Sequence, residues 1–469
     1  MVTFGDNRQE AAMNGRREFL RYVLPTAAVG VATLNTNWLA RTMSATAAIA
    51  DRPATEVAAD EGFWREIQQA FTLDRTIINF NNGYTCPSPR VVHEALKRYL
   101  DISNQAPIHF MWNQLEPNVE QVRRKLAVEV GCDAEELAIT RNASEALQIC
   151  QLGIDLQPGD HVVTTDQDYG RMLDTWDQRV RRDKIDVTKI AFPVPTKNLS
   201  ELTDRISRAI TPRTKVIHIC HITNLTGQLF PVRDIARRAR ERGIQTIVDG
   251  AHAFAHFPFK MSDLECDYYG CSLHKWLLAP VGTGFLYVRR EHIATLWPLT
   301  PANASRTNDI RKFEEVGTHP AANHNAIAEA LVFHQAIGVE RKAARLRYLN
   351  ERWAARVDQL PGIRILNSRE PNQAWGLYTV SVGIDPSKAY DFLWTKYRII
   401  TAPIKRSDYQ GLRVTPNVYT TLEEVDTFAA ALAELVRTNA APSQAYDAHG
   451  KEEVTPGALS REQAASRME

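Results

Sequence analysis

The segment that most constrains the fold is an apolar run at residues 244–248 that ends on an acidic residue, Asp249. A run of this length and composition predicts a buried strand of a parallel sheet. Asp249 would then lie at the carboxyl end of the strand, where open α/β sheets bind their ligands. Lys275 follows within the sequence SLHKW, before a second apolar run at residues 285–288. A lysine between two buried strands loses the hydration of its charged head. This loss is unfavourable unless a charge pairs with the lysine or a group reacts with it.

A lysine amine and a strand-end carboxylate are the two groups that pyridoxal phosphate (PLP) chemistry requires. The lysine forms a Schiff base with the cofactor, and the carboxylate keeps the ring nitrogen protonated, so that the ring accepts electrons. The sequences DGAH at residues 249–252 and SLHK at residues 272–275 resemble two motifs of the class V aminotransferase family, D-G/A-A-H/Q and S-x-H-K. The alternative is a chance pairing of a strand-end aspartate with a solvated lysine.

The resemblance implies an α/β protein with the fold-type I PLP-dependent transferase architecture. The large domain would contain a mixed, mainly parallel seven-stranded sheet, and a smaller α+β domain would follow at the C-terminus. Residues 60–88 would contribute to the small domain and the active site, 89–300 would form the PLP-binding domain, and 301–439 the small domain. Within the family the chain is similar to isopenicillin N epimerase-like members.

A further motif, TRNASEA at residues 140–146, lies where a strand is expected to end and a helix to begin. Free N–H groups at a helix N-terminus suit an anionic phosphate, and the Ser144 hydroxyl can add a donor. The motif resembles the phosphate-binding T-x-N-A-T/S-E-A of the family. Ordinary helix capping by Asn142 or Ser144 is the alternative.

The resemblance assigns cofactor contacts throughout the chain. Tyr169 would stack on the PLP ring, unless it is a core tyrosine with a satisfied hydroxyl, and Asn224 would donate to ring oxygen O3′. Ser272 and His274 would converge on the phosphate, since a dianion needs several donors. Thr318 would reach the phosphate of a partner subunit. The expected cofactor-binding residues are Asn142, Ala143, Ser144, Tyr169, Asn224, Asp249, His252, Ser272, His274, Lys275 and Thr318.

Two residues are expected to bind the substrate. Arg413 matches the family arginine that clamps the substrate's α-carboxylate, a task suited to a planar bidentate donor. Asn82 lies in a turn-rich loop that reaches towards the substrate in the family. The family's R-x-S-x-H is only partly kept, since residues 413–417 read RVTPN, and this leaves the substrate open.

The expected function is that of an aminotransferase or epimerase acting on an amino acid or a peptide-linked amino group, with Lys275 and Asp249 as the catalytic residues. A PLP-dependent C–S or other β-lyase is one alternative, although residues 401–410 lack the loop cysteine of cysteine desulfurases. A non-catalytic exported binding protein with a PLP fold is another. The six scattered cysteines suggest neither a metal site nor a redox motif and are expected to be reduced and mostly buried. A net charge of +1 gives no reason to expect nucleic acid.

Residues 1–50 resemble a twin-arginine signal peptide. Arg16 and Arg17 precede a mildly apolar stretch at residues 22–34, and the sequence AIA at residues 48–50 offers a small-x-small cleavage site. The stretch is too short and too weakly apolar for stable membrane insertion. An unstructured basic leader is the alternative. The twin-arginine translocase exports folded proteins, which suits a periplasmic enzyme that loads its cofactor before export. We also expect a homodimer, through Thr318, and a flexible tail at residues 440–469.

Overall fold

A computed structural model describes residues 36–196, 198–370 and 372–440. The paired arginines of the predicted export signal and the predicted tail from residue 441 onward lie outside these ranges. The strands are β1 Ile78–Asn79, β2 Leu137–Thr140, β3 His161–Thr165, β4 Asp186–Ile190, β5 Thr214–Cys220, β6 Gln245–Asp249, β7 Tyr268–Ser272, β8 Gly284–Val288, β9 Arg364–Ile365, β10 Tyr378–Ser381, β11 Ile399–Ile400, β12 Ala402–Lys405 and β13 Gln410–Val414.

The helices alternate with these strands through most of the chain. The α-helices are α1 Thr36–Ala48, α2 Ala54–Val57, α3 Glu61–Gln69, α4 Arg90–Gln105, α5 Glu116–Val130, α6 Ala143–Gly153, α7 Gly170–Asp183, α8 Leu199–Ala209, α9 Val232–Arg240, α10 Met261–Leu264, α11 Arg290–Ile293, α12 Ala321–Asn325, α13 Ile327–Ile337, α14 Val339–Val357, α15 Pro386–Tyr397 and α16 Leu422–Ala440. A π-helix at Ile108–Leu115 connects α4 to α5, and 3-10 helices occur at Ala134–Glu136, Ala304–Arg306 and Ile310–Glu314.

The large domain is built on a seven-stranded sheet with the order β2-β8-β7-β6-β5-β3-β4. Only β8 runs against the others, so the predicted mixed, mainly parallel sheet is confirmed. Side chains along a strand alternate between two hydrophobic clusters: Ile247 and Tyr268 belong to one, Val248 and Tyr269 to the other. Both faces are therefore covered by helices, which explains the continuous apolar runs in the sequence.

The smaller domain contains an antiparallel sheet with the order β12-β13-β10-β9. Its core joins this sheet to α14 and α16 through Trp353, Tyr378 and Phe428. The ring centroids of Trp353 and Phe428 lie 5.3 Å apart in an edge-on contact. Phe80, which follows β1, packs in the same core, so the chain before the large domain contributes to the small one.

Residues 36–50, which the resemblance assigns to the signal peptide, pack against the rest of the described chain. Thr42 and Ile49 are buried, and Ile49 packs in a cluster with residues of α3 and α13. The Thr46 hydroxyl donates to the carbonyl oxygen of Ala336 at 2.6 Å. Composition alone places this stretch in the leader, because it does not reveal a packing partner nearly three hundred residues away.

The first strand, β1, is confined to Ile78–Asn79, the pair of residues that aligns with β11. All six cysteines are free and five are buried, while Cys132 is partly exposed, as expected. In the described ranges, no helix has the length and apolar character needed to cross a membrane.

Candidate active site

Two adjacent parallel strands bring Asp249 and Lys275 to the same edge of the large sheet. β6 ends at Asp249, which lies opposite Gly270 of β7, and Lys275 follows the end of β7 by three residues. Gly250 is required at this corner, because a Cβ atom there would lie 1.9 Å from the Tyr269 ring. The carboxyl ends of parallel strands share one edge, and the structure places the predicted catalytic pair there.

Asp249 is a buried carboxylate whose Oδ1 accepts a hydrogen bond from the Ala251 N–H at 2.9 Å. Burial raises its pKa to about 6, against the opposing effects of this N–H and of the Lys275 charge. The nearby Asp168 adds to the increase. Asp249 is therefore mostly ionised at pH 7. A cationic ring nitrogen beside it would oppose the effect of burial and lower the pKa of Asp249.

The Lys275 amine is desolvated, and desolvation lowers its pKa to about 8. The negative charge of Asp249 opposes this decrease, and the positive charge of Arg413 adds to it. Nζ lies 3.2 Å from Nε2 of His252. Burial holds the pKa of His252 well below its usual value, so its ring is neutral and Nε2 can accept from the ammonium.

The N-terminus of α6 meets the end of β7 where the phosphate is predicted to bind. The Ala143 N–H donates to Oγ of Ser272 at 2.9 Å, so two of the predicted phosphate ligands are in contact. The Asn142 side chain caps the helix, since its Oδ1 accepts from the Glu145 N–H at 2.9 Å. For the Asn142 side chain the capping alternative therefore holds. The Ala143 and Glu145 N–H groups of the first turn are therefore both bonded to side chains.

His274 lies beside this pocket and is neutral. Burial lowers its pKa to about 4, and the positive charge of Lys275 contributes. Its carbonyl oxygen accepts from the Cys86 N–H at 3.0 Å. The backbone that carries Lys275 is thus tied to the loop at residues 81–87.

Arg413 is a buried arginine on β13. Its Nη1 donates to the carbonyl oxygen of Asn224 at 2.9 Å, and its Nη2 donates to Oδ1 of Asn81 at 2.8 Å. Burial lowers its pKa to about 10. None of the acidic residues within the described ranges forms an ion pair with it. A buried cation with only neutral partners is well placed to bind an anionic group, as predicted for the carboxylate clamp.

The structure places the Asn82 amide elsewhere than predicted. Its nitrogen donates to the carbonyl oxygens of Asn79 and Thr415, and its oxygen accepts from Asn79 and from the Tyr419 hydroxyl. These contacts use the hydrogen-bonding capacity of the amide within the protein, so a substrate contact from Asn82 is not supported. Asn81, which the sequence reasoning missed, contacts Arg413 instead.

The remaining predicted residues are distributed as follows. Tyr169 is half-buried at the start of α7, and its hydroxyl accepts from Nε of Arg171 at 3.2 Å. Asn224 follows β5 on the same sheet edge as Asp249. Ser144 lies in the first turn of α6. Thr318 is exposed on the surface, away from these contacts, and its predicted role in a partner subunit stays a prediction.

Asp168 is a buried residue that the sequence reasoning did not single out. Its Oδ2 accepts from the Thr164 hydroxyl and from both the N–H and the hydroxyl of Thr165, at 2.7–2.8 Å. These bonds close the loop between β3 and Tyr169. The signal available in the sequence was its position, directly after a buried strand and before the aromatic residue. Asp168 therefore holds Tyr169 at the sheet edge.

The turn between β12 and β13 joins the two domains. Arg406 donates to the carbonyl oxygen and to Oδ2 of Asp166, each at 2.7 Å, and the Tyr409 hydroxyl donates to Oε1 of Gln167 at 2.9 Å. The strand that carries Arg413 is thereby fixed to the loop that carries Tyr169. Sequence patterns could not reveal this contact, because it joins segments about 240 residues apart.

The residues at this edge fit PLP. The buried polar atoms that lack a hydrogen-bond partner among the described residues include four that belong to predicted site residues: Asn224 Oδ1, His252 Nδ1, His274 Nδ1 and Arg413 Nε. Buried polar atoms without partners destabilise a protein, and here they surround the amine and the carboxylate. A flat cofactor with a phosphate and a ring nitrogen has groups for the N-terminus of α6, for Asp249 and for the Asn224 amide.

Comparisons with known proteins agree with this geometry. The chain is 29% identical over 390 residues to an isopenicillin N epimerase of Streptomyces clavuligerus, covering 79% of this chain and 98% of that protein. It is 26% identical over 407 residues to a probable cysteine desulfurase of Xylella fastidiosa, covering 79% and 95%. A solved structure of C-DES with glycine covalently linked to its PLP cofactor has a TM-score of 0.69 at 24% identity, covering 77% of this chain and 100% of that one.

The family model for aminotransferase class-V matches residues 77–428, which include every predicted site residue. Because the match spans most of the chain and the buried lysine, carboxylate and helix N-terminus fit the cofactor, this protein belongs to the aminotransferase class-V family and uses pyridoxal 5′-phosphate.

Proposed function

We propose that the protein is an exported PLP-dependent enzyme that acts at the amino-bearing carbon of an amino acid or of a peptide-linked amino group, by aminotransfer or epimerisation. The observation that carries this proposal is one arrangement of three charges. A desolvated lysine amine lies beside a buried carboxylate, and both lie near a buried arginine that has no acidic partner in the described ranges.

Lys275 is suited both to hold the cofactor and to move a proton. PLP, when bound, supplies an electron sink for the bond that breaks at the α-carbon. With a pKa of about 8, roughly a tenth of the Lys275 amine is neutral at pH 7. Its Nζ can therefore accept a proton, and His252 Nε2 at 3.2 Å orients it. Asp249, ionised at this pH, favours a proton on the ring nitrogen.

The substrate's carboxylate is assigned to Arg413. Its guanidinium is planar and buried, and Asn81 and the Asn224 carbonyl hold it by hydrogen bonds that leave its charge uncompensated. An α-carboxylate bound here would neutralise that charge and fix the α-carbon near Lys275. A free amino acid satisfies this requirement, and so does a peptide in which one carbon carries both a free amino group and a free carboxylate.

A β-lyase is the alternative that the names of relatives favour, since one is a probable cysteine desulfurase. The segment at residues 401–410 contains no cysteine. The Lys275 charge acts on two thiols, those of Cys86 and Cys271, and burial raises the pKa of both. Burial raises the pKa of Cys86 to about 12, and the Asn417 amide contacts its sulfur at 3.0 Å. A thiol in this state is a poor nucleophile, so persulfide chemistry is disfavoured, whereas β-elimination without a thiol remains open.

Export and dimerisation complete the proposal. Arg16 and Arg17 would direct the folded protein through the twin-arginine translocase to the periplasm, and lysine at both positions should retain it in the cytoplasm.

Thr318, which is exposed, would contact the phosphate of a second copy. The exposed Ile108 and Trp112 of the π-helix offer apolar surface for such a dimer. Export of the double lysine variant, or an active monomer by mass measurement, would contradict these points.

Replacement of Lys275 by alanine tests PLP catalysis against a binding role. The wild-type protein loaded with PLP should absorb visible light, and Lys275→Ala should lose that band and essentially all turnover, because no amine remains to hold the cofactor. Spectra and amino acid turnover measure this. A wild-type protein that stays colourless after incubation with PLP would support the non-catalytic binding alternative.

Replacement of Asp249 by asparagine separates charge from shape. The loaded variant should keep PLP but turn over at least about a thousandfold more slowly, because an unprotonated ring is a poor electron sink. Turnover at the wild-type rate would refute this role.

The same variant has a pH signature in the protein freed of PLP. The folded-state pKa of Asp249, about 6, lies above its ordinary value of 3.8, so its ionised form destabilises the fold above pH 6. Asp249→Asn should therefore raise the unfolding temperature at pH 7, and this gain should disappear as the pH falls from 6 towards 4. Thermal unfolding across this range provides the measurement.

Replacement of Arg413 by lysine tests the carboxylate clamp. Lysine keeps the charge but cannot form two parallel hydrogen bonds, so KM should rise by about tenfold or more while the PLP spectrum is unchanged. Arg369→Lys is the matched control, because Arg369 pairs with Glu351 and Asp358 on the surface of the same domain. An equal effect of both variants on KM would argue against the clamp.

A further inference from the structure

A second lysine is buried behind the active site. Lys342, on α14, has 0% exposure. No carboxylate of the described chain forms an ion pair with it. Removing an ammonium from water without a counter-charge destabilises a fold, and an apolar side chain of similar volume is often as stable or more so. Packing alone therefore does not account for a lysine at this position.

The ammonium of Lys342 donates to the carbonyl oxygen of Trp276, the residue that follows Lys275. On the other side of Lys275, the carbonyl oxygen of His274 accepts from the Cys86 N–H. Both carbonyls that flank Lys275 are thus held by groups from other elements. The Trp276 side chain is itself fixed, because its ring is stacked on His256 with centroids 3.8 Å apart.

The titratable groups around Lys342 do not neutralise it. Its positive charge acts on Cys86, His256 and His334. Burial keeps the thiol of Cys86 protonated and both imidazoles neutral, with the pKa of His256 lowered to about 3 and that of His334 well below its usual value. Glu129 lies 3.7 Å from the His334 ring. Burial accordingly lowers the pKa of Lys342 to about 7.

We propose that Lys342 is a positioning residue for Lys275, and that its hydrogen bond to the Trp276 carbonyl fixes the backbone from which the Lys275 amine reaches His252 and the cofactor. A charge-assisted bond to a single carbonyl defines the position of that carbonyl more narrowly than apolar contacts would. The inference rests on the proposed function of Lys275. It explains why a destabilising charge lies directly behind the reactive lysine.

Lys342→Met tests the proposal, because methionine fills similar space without a donor. The full-length variant, freed of PLP, should unfold at a higher temperature than wild type at pH 6. This gain should shrink as the pH rises above 7, since the folded wild type then loses the buried charge. After loading, kcat should fall by about tenfold to a hundredfold with KM nearly unchanged. The pH at which the visible band of the lysine-bound cofactor shifts should also change.

Lys312→Met is the matched control. Lys312 is also buried, and it donates to the carbonyl oxygens of Ile293 and Thr307, away from Lys275. This variant should leave kcat and the pH response of the visible band at wild-type values. Lys342→Gln, which keeps a neutral donor, should recover part of the lost kcat, and it carries the test if Lys342→Met does not fold.

The outcomes separate this inference from the proposed function. A Lys342→Met protein that is less stable than wild type but has wild-type kcat and an unchanged band would show that Lys342 is only structural. Equal kcat values and equal band responses of Lys342→Met and Lys312→Met would show the same. A wild-type protein that never develops a visible band with PLP would instead refute the proposed function itself.

Discussion

The active site depends on burying the Lys275 amine and the Asp249 carboxylate close together, out of contact with water. Desolvation pushes both groups towards their neutral forms, lowering the pKa of Lys275 and raising that of Asp249. The attraction between the two charges opposes both shifts, and the Ala251 N–H also opposes that of Asp249. With pKa values of about 8 and 6, Lys275 can release a proton near pH 7 while Asp249 stays mostly ionised. The parallel strands β6 and β7 bring the two groups together because their carboxyl ends are adjacent.

The buried charges around Lys275 favour anionic ligands. Arg413 lowers the pKa of Lys275 and has no acidic partner among the described residues, so the region around Lys275 carries more positive than negative charge. Such a surplus favours a dianionic phosphate and a carboxylate over neutral ligands. The turn from Arg406 to Tyr409 fixes β13, which carries Arg413, against the large domain.

The sequence predicts those parts of the site that lie on strongly patterned elements. The strand before Asp249 ends on the apolar pair Ile247-Val248, and Pro117 lies at the start of α5, where its missing N–H costs little. The pattern does not predict β7, since YYGCS interrupts its apolar residues with glycine and serine, and β4 is a polar edge strand. The sequence also could not show that Asn81, rather than Asn82, contacts Arg413. The Asn82 amide donates to the carbonyl oxygen of Thr415, over 330 residues away, and this contact leaves Asn81 to face Arg413.

The N-terminal helix α1 links folding to the proposed export. If the proposed twin-arginine route carries this protein in its folded form, α1 would already be packed against α3 and α13 at export. Cleavage after Ala50 would then remove a helix whose residues Thr42 and Ile49 are already buried, and would expose the apolar side chains that they cover.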